Sequence, residues 1–351
     1  MDSARVSDPT VSVVMPLHHG SIRCFEALQS ADPRPDEIIV VGDGAPESMV
    51  ERARQYGFRT LVTPVQSGPA AARNLGARHA QGAVLCFVDD DVALSQNAIG
   101  LIREFFASAS EDVAAVLGSY DEEASATNFA SQYKNLLQHY VHQQAREEGF
   151  TFWTACGAIR RDVFLSLGGF QEHYRTPSIE DIAFGYRLRR AGYRIRVSRT
   201  LQCKHLKRWT LLSLFRSDFF RRALPWTDLI LSAGRFDDDL NISAVNRWKV
   251  VIAYGLLLSC VLSASAFAWR ASASILAVTL VILDRGLYRL FFRKRGMSFA
   301  LRGILWHWFS YLYSGAAFCF GVVRFVAVRV TALNAHRVIG PEDKGPRAET
   351  S

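Results

Sequence analysis

The sequence has few cysteines, and no two of them stand close together. The six cysteines are Cys24, Cys86, Cys156, Cys203, Cys260 and Cys319, and they form no Cys-x-x-Cys pair. This spacing argues against a disulfide framework and indicates reduced, buried thiols in a protein that faces the cytosol. Residues 1–9 are polar and contain no apolar signal-peptide core. We therefore expect the first domain to remain in the cytoplasm.

Charge is scarce in one part of the chain. Residues 1–240 have the composition of a soluble domain, whereas residues 248–328 are largely apolar. The formal net charge of +8 comes mainly from arginines that cluster around these apolar segments. Basic residues beside long apolar runs favour an anionic membrane surface over nucleic acid as the acidic partner.

The most informative stretch is an apolar run that ends in three carboxylates. Residues 83–88 predict a buried central strand, and Asp89, Asp90 and Asp91 follow it directly. Open α/β sheets bind ligands at the carboxyl ends of their strands. Adjacent carboxylates favour a bound cation, and hard oxygen ligands suit Mg²⁺ or Mn²⁺. Taken alone, the triplet also fits a solvated acidic turn that caps the next helix.

The rest of the first 200 residues predicts alternating strands and helices. We expect strands at residues 11–16, 36–42, 60–63, 113–118 and 193–197, and an aromatic strand within residues 150–159. We expect helices at residues 66–80, 95–106, 126–148, 160–170 and 178–192.

Two of these helices carry candidate functional groups. The helix expected at residues 66–80 has Pro69 in its first turn and Arg73 one turn later, so its free N-terminal amides form a candidate anion site. A plain packing helix with a surface arginine is the alternative. The last helix has Glu180 and Asp181 in its first turn, where carboxylates also stabilise the helix dipole without any further role.

Six short motifs follow one another in the order and approximate spacing of a known family. They lie at residues 11–16, 40–45, 68–76, 87–91, 168–170 and 180–193. Across roughly residues 10–230 the sequence resembles the family 2 glycosyltransferases with the GT-A fold. The resemblance implies an α/β fold of the nucleotide-diphospho-sugar transferase type, with a mostly parallel sheet flanked by helices. C-terminal transmembrane helices would follow it here.

The resemblance also implies residues that bind the donor, a nucleotide sugar linked to UDP or GDP. Asp43 would contact the nucleotide base, Pro16 would end the strand beside it, and Arg73 would lie near the diphosphate. Asp89 would face the ribose or the metal, and Asp90 would add a further donor contact.

The same resemblance implies a metal ion and a catalytic base. Asp91, together with Asp89, would bind Mg²⁺ or Mn²⁺ that bridges the diphosphate, and His205 is a further candidate ligand or else a plain surface histidine. Asp181 would be the general base that takes the proton of the acceptor hydroxyl, with Glu180 in support. A phosphate acceptor would need a base less, which would put the role of Asp181 in doubt.

The sequence departs from the family pattern at several positions. Gly42 and Ala45 replace a common aspartate and serine, and His18 and His19 stand where Tyr-Asn is frequent. The Gln-x-x-Arg-Trp signature of processive synthases is missing, and residues 221–226 are the nearest equivalent. The missing signature favours one sugar transferred per encounter.

A basic amphipathic segment follows the last expected strand. Over residues 204–222 an apolar stripe is expected on one helical face, composed of Leu206, Trp209, Leu212, Phe215 and Phe219. Such a helix suits an anionic lipid interface, and packing against the catalytic domain is the alternative. Either placement would bring the acceptor end of the site to the bilayer.

Three apolar segments follow, at residues 250–268, 271–292 and 303–323. The second contains Asp284 and Arg285, which could pair with each other or mark a lipid or sugar path. The basic loop at residues 293–302 is expected on the cytoplasmic side.

Three spans then place the C-terminal tail outside, where Arg324, Arg329 and Arg337 fit poorly, and a re-entrant third segment would remove this conflict. Residues 338–351 have the composition of a disordered tail.

These expectations divide the chain into five parts. They are a tail (1–9), a GT-A catalytic domain (10–203), an interfacial amphipathic helix and linker (204–247), a membrane region of about three transmembrane segments (248–328) and a disordered tail (329–351).

The expected function is metal-dependent, inverting, non-processive transfer of a sugar to a lipid or lipid-linked acceptor at the cytoplasmic leaflet of the inner membrane. A processive polysaccharide synthase is one alternative. A silent membrane scaffold or lipid transporter that retains the fold is the other.

Overall fold

A computed structural model describes residues 8–233 and 243–338 of the chain. The first half of the sheet domain alternates strands and helices as the apolar pattern predicts. It contains β1 (Val11–Leu17), α1 (Ile22–Gln29), β2 (Glu37–Gly42), α2 (Glu47–Gln55), β3 (Arg59–Val62), α3 (Pro69–His79) and β4 (Val84–Phe87). Proline fits the first position of α3 because that position needs no hydrogen-bonded amide.

The second half is less regular. It contains β5 (Val92–Leu94), α4 (Ala98–Ser108), β6 (Val113–Tyr120), α5 (Phe129–Gln144), β7 (Glu148–Gly149), β8 (Gly157–Arg160), α6 (Arg161–Ser166), α7 (Glu180–Arg190) and β9 (Arg194–His205). The prediction of an aromatic strand within residues 150–159 is wrong in its first part, since only the last few of these residues form a strand. Phe152 instead packs edge-on against Phe87 and Phe184 from an irregular segment.

The nine strands among the described residues form one mixed sheet with the order β3-β2-β1-β4-β8-β6-β9-β5, and β7 pairs with β9. β1 lies parallel between β2 and β4, and β3 is parallel to β2. β8 lies antiparallel between β4 and β6. The carboxyl ends of β1, β2 and β4 therefore meet at one edge of the sheet, and the candidate site residues follow these ends.

Each face of the sheet has its own hydrophobic core, because successive residues of a strand point to opposite faces. Val13 and Met15 of β1 belong to one core, and Val14 belongs to the other. The second core holds a cluster of buried rings whose centroids lie 5.0–5.2 Å apart, formed by Phe87, Phe164, Phe170 and Phe184. This aromatic cluster packs around Phe87, the last residue of β4, on one face of the sheet.

Helices make up the rest of the chain. They are α8 (Leu211–Arg216), α9 (Leu224–Ala233), α10 (Ala244–Leu262), α11 (Phe267–Leu283), α12 (Arg285–Arg295) and α13 (Met297–Val338), and a π-helical segment (Ser217–Ala223) joins α8 to α9.

The amphipathic helix expected at residues 204–222 begins later than predicted. β9 continues to His205, and α8 begins only where the Thr210 hydroxyl accepts a hydrogen bond from the Ser213 amide. The expected apolar stripe is wrong as a result, since Trp209 precedes the helix and is buried while Leu212 is 57% exposed.

The apolar segments also differ from the expected spans. α10 ends before residue 268, and the segment at residues 271–292 is divided between α11 and α12. Asp284 lies at this division and pairs with Lys249 of α10 at 2.6 Å rather than with Arg285. Among the described helices, α10 and the Met297–Arg329 part of α13 are long and apolar enough to cross a membrane, and α11 is a shorter apolar helix of 17 residues.

The basic end of α12 rests on the catalytic domain. Buried residues of α12 and α13 pack against Tyr133 of α5 in one hydrophobic cluster. Lys294 pairs with Glu122, and the Arg295 guanidinium donates to the Gln132 side chain. The positively charged connection between α12 and α13 therefore lies on the same side as the sheet domain.

Candidate active site

The three carboxylates after β4 point to three different partners. Asp89 Oδ1 lies 2.5 Å from Arg73 Nη2, Asp90 accepts hydrogen bonds from the loop after β1, and Asp91 faces the end of β9. Separate partners reduce the repulsion that three adjacent charges would otherwise cause. The triplet does not cap the next helix, because Asn97 occupies the N-cap of α4.

Asp90 shapes the loop that contains the two histidines. Its Oδ2 accepts hydrogen bonds from the backbone amides of His18 (2.8 Å), His19 (3.1 Å) and Gly20 (2.8 Å). Pro16 lies two residues before this loop, inside β1, where it is buried. The donor contacts expected of Pro16 and Asp90 stay predictions, and the structure adds a clear local role for Asp90.

Asp43 lies at the N-terminus of α3. Its carboxylate accepts hydrogen bonds from the Thr63 hydroxyl and from the amides of Ser67 and Gly68, each at 2.7 Å. The expectation of free amides at the start of this helix is therefore wrong for these two groups, because a side-chain carboxylate already occupies them. Contact of Asp43 with a nucleotide base stays a prediction.

Arg73 joins two parts of the site that are distant in sequence. Its guanidinium is 4% exposed and lies 2.5 Å from Asp89 and 2.9 Å from Glu180. Burial lowers the pKa of Arg73, but the two carboxylates outweigh that effect and raise it above its ordinary value. The interpretation of Arg73 as a surface residue is therefore excluded, and the arginine stays charged in this position.

Asp181 has the environment of a general base. Burial and the neighbouring Glu180 raise the pKa of Asp181 to about 7, although Arg73 and Arg222 act in the opposite direction. Its Oδ2 lies 3.3 Å from the Thr154 amide and 3.5 Å from the Thr154 hydroxyl. A carboxylate with a pKa near neutral pH can both accept and release a proton under physiological conditions.

Asp91 and His205 stand next to each other at the other end of the triplet. His205 Nε2 lies 3.7 Å from Asp91 Oδ2, and the His205 ring stacks on Tyr120 with centroids 4.6 Å apart. Burial acts to raise the pKa of Asp91, but His205 and Lys207 outweigh it, so that the pKa lies below its usual range. Lys207 Nζ also lies 3.7 Å from Asp91 Oδ2.

A divalent ion fits this corner of the site in its donor types. Asp91 offers a carboxylate oxygen, which suits Mg²⁺ or Mn²⁺, and His205 offers a ring nitrogen beside it. Asp89 is engaged by Arg73 and is less free to act as a ligand. Within residues 8–233 and 243–338, no group of three or more His, Cys, Asp or Glu side chains forms a complete metal site. Further ligands would have to come from a bound diphosphate and water.

Other motif residues hold the site together. Asn74 accepts from the Phe170 amide and donates to the Phe170 carbonyl, both at 2.8 Å. Arg187 donates to the Leu167 carbonyl at 2.8 Å and to the Gly169 carbonyl. These contacts bind α3 and α7 to the turn after α6 and so fix Arg73 relative to Glu180.

Sequence reasoning missed three residues of the site. Thr154, Tyr120 and Lys207 contact Asp181, His205 and Asp91 respectively. Lys207 stands two residues after a candidate ligand in a basic run, which is a weak signal. Thr154 and Tyr120 carry no local signal, because their roles depend on the fold.

Comparison with known proteins agrees with this geometry. Residues 12–168 match the family described as Glycosyl transferase family 2. The chain carries a family 2 glycosyltransferase domain. This glycosyltransferase is 24% identical over 237 residues to the O-antigen chain rhamnosyltransferase WbaN of Salmonella anatum, and the aligned part is 62% of this chain and 74% of that protein.

Two further proteins resemble this glycosyltransferase. Glycosyltransferase AglE of Haloferax volcanii is 26% identical over 195 residues, which is 53% of this chain and 63% of that protein. The solved mannosyltransferase PcManGT from Pyrobaculum calidifontis, in complex with GDP-Man and Mn²⁺, has a TM-score of 0.52 at 15% identity, and the match covers 92% of this chain and 88% of that one. This structural likeness confirms the expected GT-A fold.

Proposed function

We propose that this glycosyltransferase moves a sugar from a nucleoside diphosphate to a lipid or lipid-linked acceptor at the cytoplasmic face of a membrane. The observation that carries the proposal is the buried group in which Arg73 binds both Asp89 and Glu180, next to Asp181. This group places a fixed positive charge and a carboxylate of pKa about 7 at the carboxyl edge of the sheet.

Asp181 is the proposed general base. Its carboxylate takes the proton of the acceptor hydroxyl while the hydroxyl oxygen forms a bond to the anomeric carbon and the bond to the diphosphate oxygen breaks. The nucleoside diphosphate leaves with the electron pair of that bond. One carboxylate and one displacement invert the configuration of the anomeric carbon.

Arg73 holds the acidic groups in place for this step. Its guanidinium lies 2.9 Å from Glu180, and burial together with the neighbouring Glu180 raises the pKa of Asp181 to about 7. Glu180 thus acts through Asp181 and has no direct role in proton transfer.

Metal dependence is part of the proposal. Asp91 and His205 would hold Mg²⁺ or Mn²⁺, and the Mn²⁺ bound by the structurally similar mannosyltransferase supports this assignment. When bound, the ion would neutralise the charge that develops on the leaving diphosphate. That relative was solved with GDP-Man, and the donor base is proposed as uridine or guanosine, as the family resemblance implies.

The acceptor is proposed to be a lipid because of the C-terminal helices. α10 and α13 expose large apolar side chains, among them Leu258, Val261, Leu305 and Phe320, which are 53–71% exposed. The relative named as an O-antigen chain rhamnosyltransferase supports a lipid-linked saccharide acceptor.

The arrangement of the helices supports three passes through the inner membrane. α10 packs against α11 and α13, and α12 contacts α5 of the catalytic domain. α11 has 17 residues and a length of about 25 Å, slightly less than the hydrocarbon thickness of a bilayer. The contacts of Lys294 and Arg295 with the catalytic domain agree with a cytoplasmic position for both.

The test is release of nucleoside diphosphate by the detergent-purified full chain with Mn²⁺, across a panel of UDP- and GDP-sugars, with and without bacterial lipid extract. We expect one donor to respond, only with both metal and lipid, and the label to become extractable into organic solvent. Asp91→Ala and Asp181→Asn should be inactive, while Arg78→Gln, an exposed change on α3, should remain active. Label found only in water-soluble product would contradict the lipid acceptor. Undiminished turnover in Asp181→Asn would contradict the proposed base.

A further inference from the structure

A cavity of about 500 Å³ lies between the catalytic domain and the C-terminal helices. Its walls come from α5, from the π-helical segment and α9, and from α10 and α13. Two of these helices, α10 and α13, are the candidate membrane spans. The cavity therefore has both polar and apolar walls, and it is bordered on one side by helices suited to lipid.

Most of the charge in this cavity is internally neutralised. Lys134 Nζ lies 2.9 Å from Asp218 Oδ1, and the Tyr313 hydroxyl donates to Asp218 Oδ2 at 3.1 Å. Lys249 and Asp284 form the second pair, at 2.6 Å. Glu148, at the rim, is paired with arginines of the sheet domain outside the cavity.

Two donors on one helical face have no such partner. Arg222 lines the cavity, and within residues 8–233 and 243–338 no carboxylate forms an ion pair with it. Trp226, four residues later, also lines the cavity, and its buried indole N–H has no hydrogen-bond acceptor among the described residues. A cation and an unsatisfied N–H that line the same cavity favour an anion with several acceptor oxygens.

The segment that carries Arg222 is attached to the active site. Ser178 lies three residues before Asp181, and its hydroxyl donates to the Arg221 carbonyl at 2.9 Å. Arg222 is also close enough to Asp181 to lower its pKa. The segment has π-helical geometry at this point, which is common where a helix serves a functional site.

We propose that this cavity binds the phosphate group of a phosphate-bearing lipid, with Arg222 and Trp226 as its donors. The proposal rests on the proposed function and names the chemical class of its acceptor. The phosphate lies in the cavity beside Arg222, and the hydrocarbon chain leaves between α10 and α13 toward the bilayer. The glycosyl-accepting group of the same lipid then reaches Asp181, on the other side of the π-helical segment that carries Arg222.

Native mass spectrometry of the detergent-solubilised full chain tests this assignment. Three probes distinguish the chemistry: short-chain phosphatidic acid, the diacylglycerol with the same chains, and inorganic diphosphate. We expect phosphatidic acid to bind more tightly than either of the other two, because only it has both a phosphate and an apolar tail.

Arg222→Gln should weaken binding of phosphatidic acid by at least about tenfold, the loss expected for a charge-assisted hydrogen bond. Trp226→Phe retains the ring and removes the N–H, so a smaller loss is expected. Arg221→Gln is the matched control, since it removes the same charge from an exposed neighbour and should leave binding unchanged.

Equal weakening by Arg222→Gln and Arg221→Gln would contradict a specific site at Arg222 and indicate general electrostatic attraction to the surface. If diacylglycerol binds as tightly as phosphatidic acid, the cavity does not recognise the phosphate group. If inorganic diphosphate binds as tightly at the same site, the cavity does not select a lipid. These outcomes are separate from failure of the proposed function, which appears as absent transfer of label to lipid whatever the binding result. If transfer to lipid occurs and Arg222→Gln leaves its KM for the lipid extract unchanged, the transferase stands and the cavity assignment falls.

Discussion

Replacement of Arg73 by glutamine should destabilise the protein and impair the site together. Arg73 is buried, and its removal leaves Asp89 and Glu180 as carboxylates without their cation. Breaking a buried ion pair costs about 3–5 kcal/mol, a large part of the net stability of a typical domain. For a domain of this size, each kcal/mol changes the Tm by about 2–4 °C, so we expect a fall of about 6–20 °C.

The assay is thermal unfolding of the detergent-purified variants, followed by circular dichroism. Arg78→Gln is the matched control, because Arg78 lies on the same helix and its partner Glu172 stands 3.7 Å away, with both side chains at least 50% exposed. An exposed pair contributes at most about 1 kcal/mol. The control should therefore change the Tm by no more than about 4 °C.

A second substitution separates charge from packing. Adding Glu180→Gln to Arg73→Gln removes one of the two carboxylates that have lost their cation. The Ser178 amide donates to Glu180 at 2.9 Å, and in the double variant the side-chain oxygen of the glutamine can still accept this hydrogen bond. The double variant should regain part of the lost Tm, since an uncharged amide is easier to bury than an unpaired carboxylate. A Tm for Arg73→Gln equal to that of Arg78→Gln, or a further fall in the double variant, would refute the reasoning.

Three further predictions follow from individual contacts. Because the pKa of Asp181 is raised to about 7 and its protonated form cannot accept a proton, kcat/KM should rise with pH through about 7 and then level; a profile that is flat from pH 5 to pH 9 would contradict this. Asp90→Ala removes the acceptor of three backbone amides and should cost about 1–3 kcal/mol in denaturant unfolding, whereas Asp90→Asn keeps an acceptor and should recover most of that loss. Gly185→Ala would place a Cβ 2.3 Å from the Phe152 amide nitrogen and should lower stability by about 1–3 kcal/mol, while an unchanged Tm would show that α7 can move away at little cost.

The parts of the fold that follow from short-range patterns could be predicted from the sequence. The first strands, α3 and α7 appear close to their expected positions, because apolar periodicity, an N-terminal proline and terminal charges act within one element. The Asp triplet also lies just after the end of β4, as the apolar run before it predicts. The order of the family motifs then predicted the GT-A fold, which the structural comparison confirms.

The contacts that decide the site could not be predicted in the same way. Nothing near Asp43 indicates that its carboxylate would occupy the amides before α3, because those amides lie 24 and 25 residues further along the chain. The same holds for Lys249, which meets Asp284 at a separation of 35 residues. The apolar stripe over residues 204–222 predicted one helix because periodicity does not register a strand end and a capping threonine within the same stretch.

The position of β8 has a consequence for synthesis of the chain. β8 joins the two halves of the sheet, yet both of its neighbours precede it in sequence. β4 therefore leaves the ribosome with the edge that β8 will cover unpaired, and β6 leaves with both edges unpaired, because its other neighbour, β9, is made later still. After β6, about 40 further residues are added before β8 is complete, an interval on the order of 2–8 s. Unpaired strand edges are templates for aggregation. A nascent chain that stalls before Gly157 therefore presents unpaired edges on both β4 and β6, and the candidate membrane-spanning helices are made only after β8 and β9, which cover these edges.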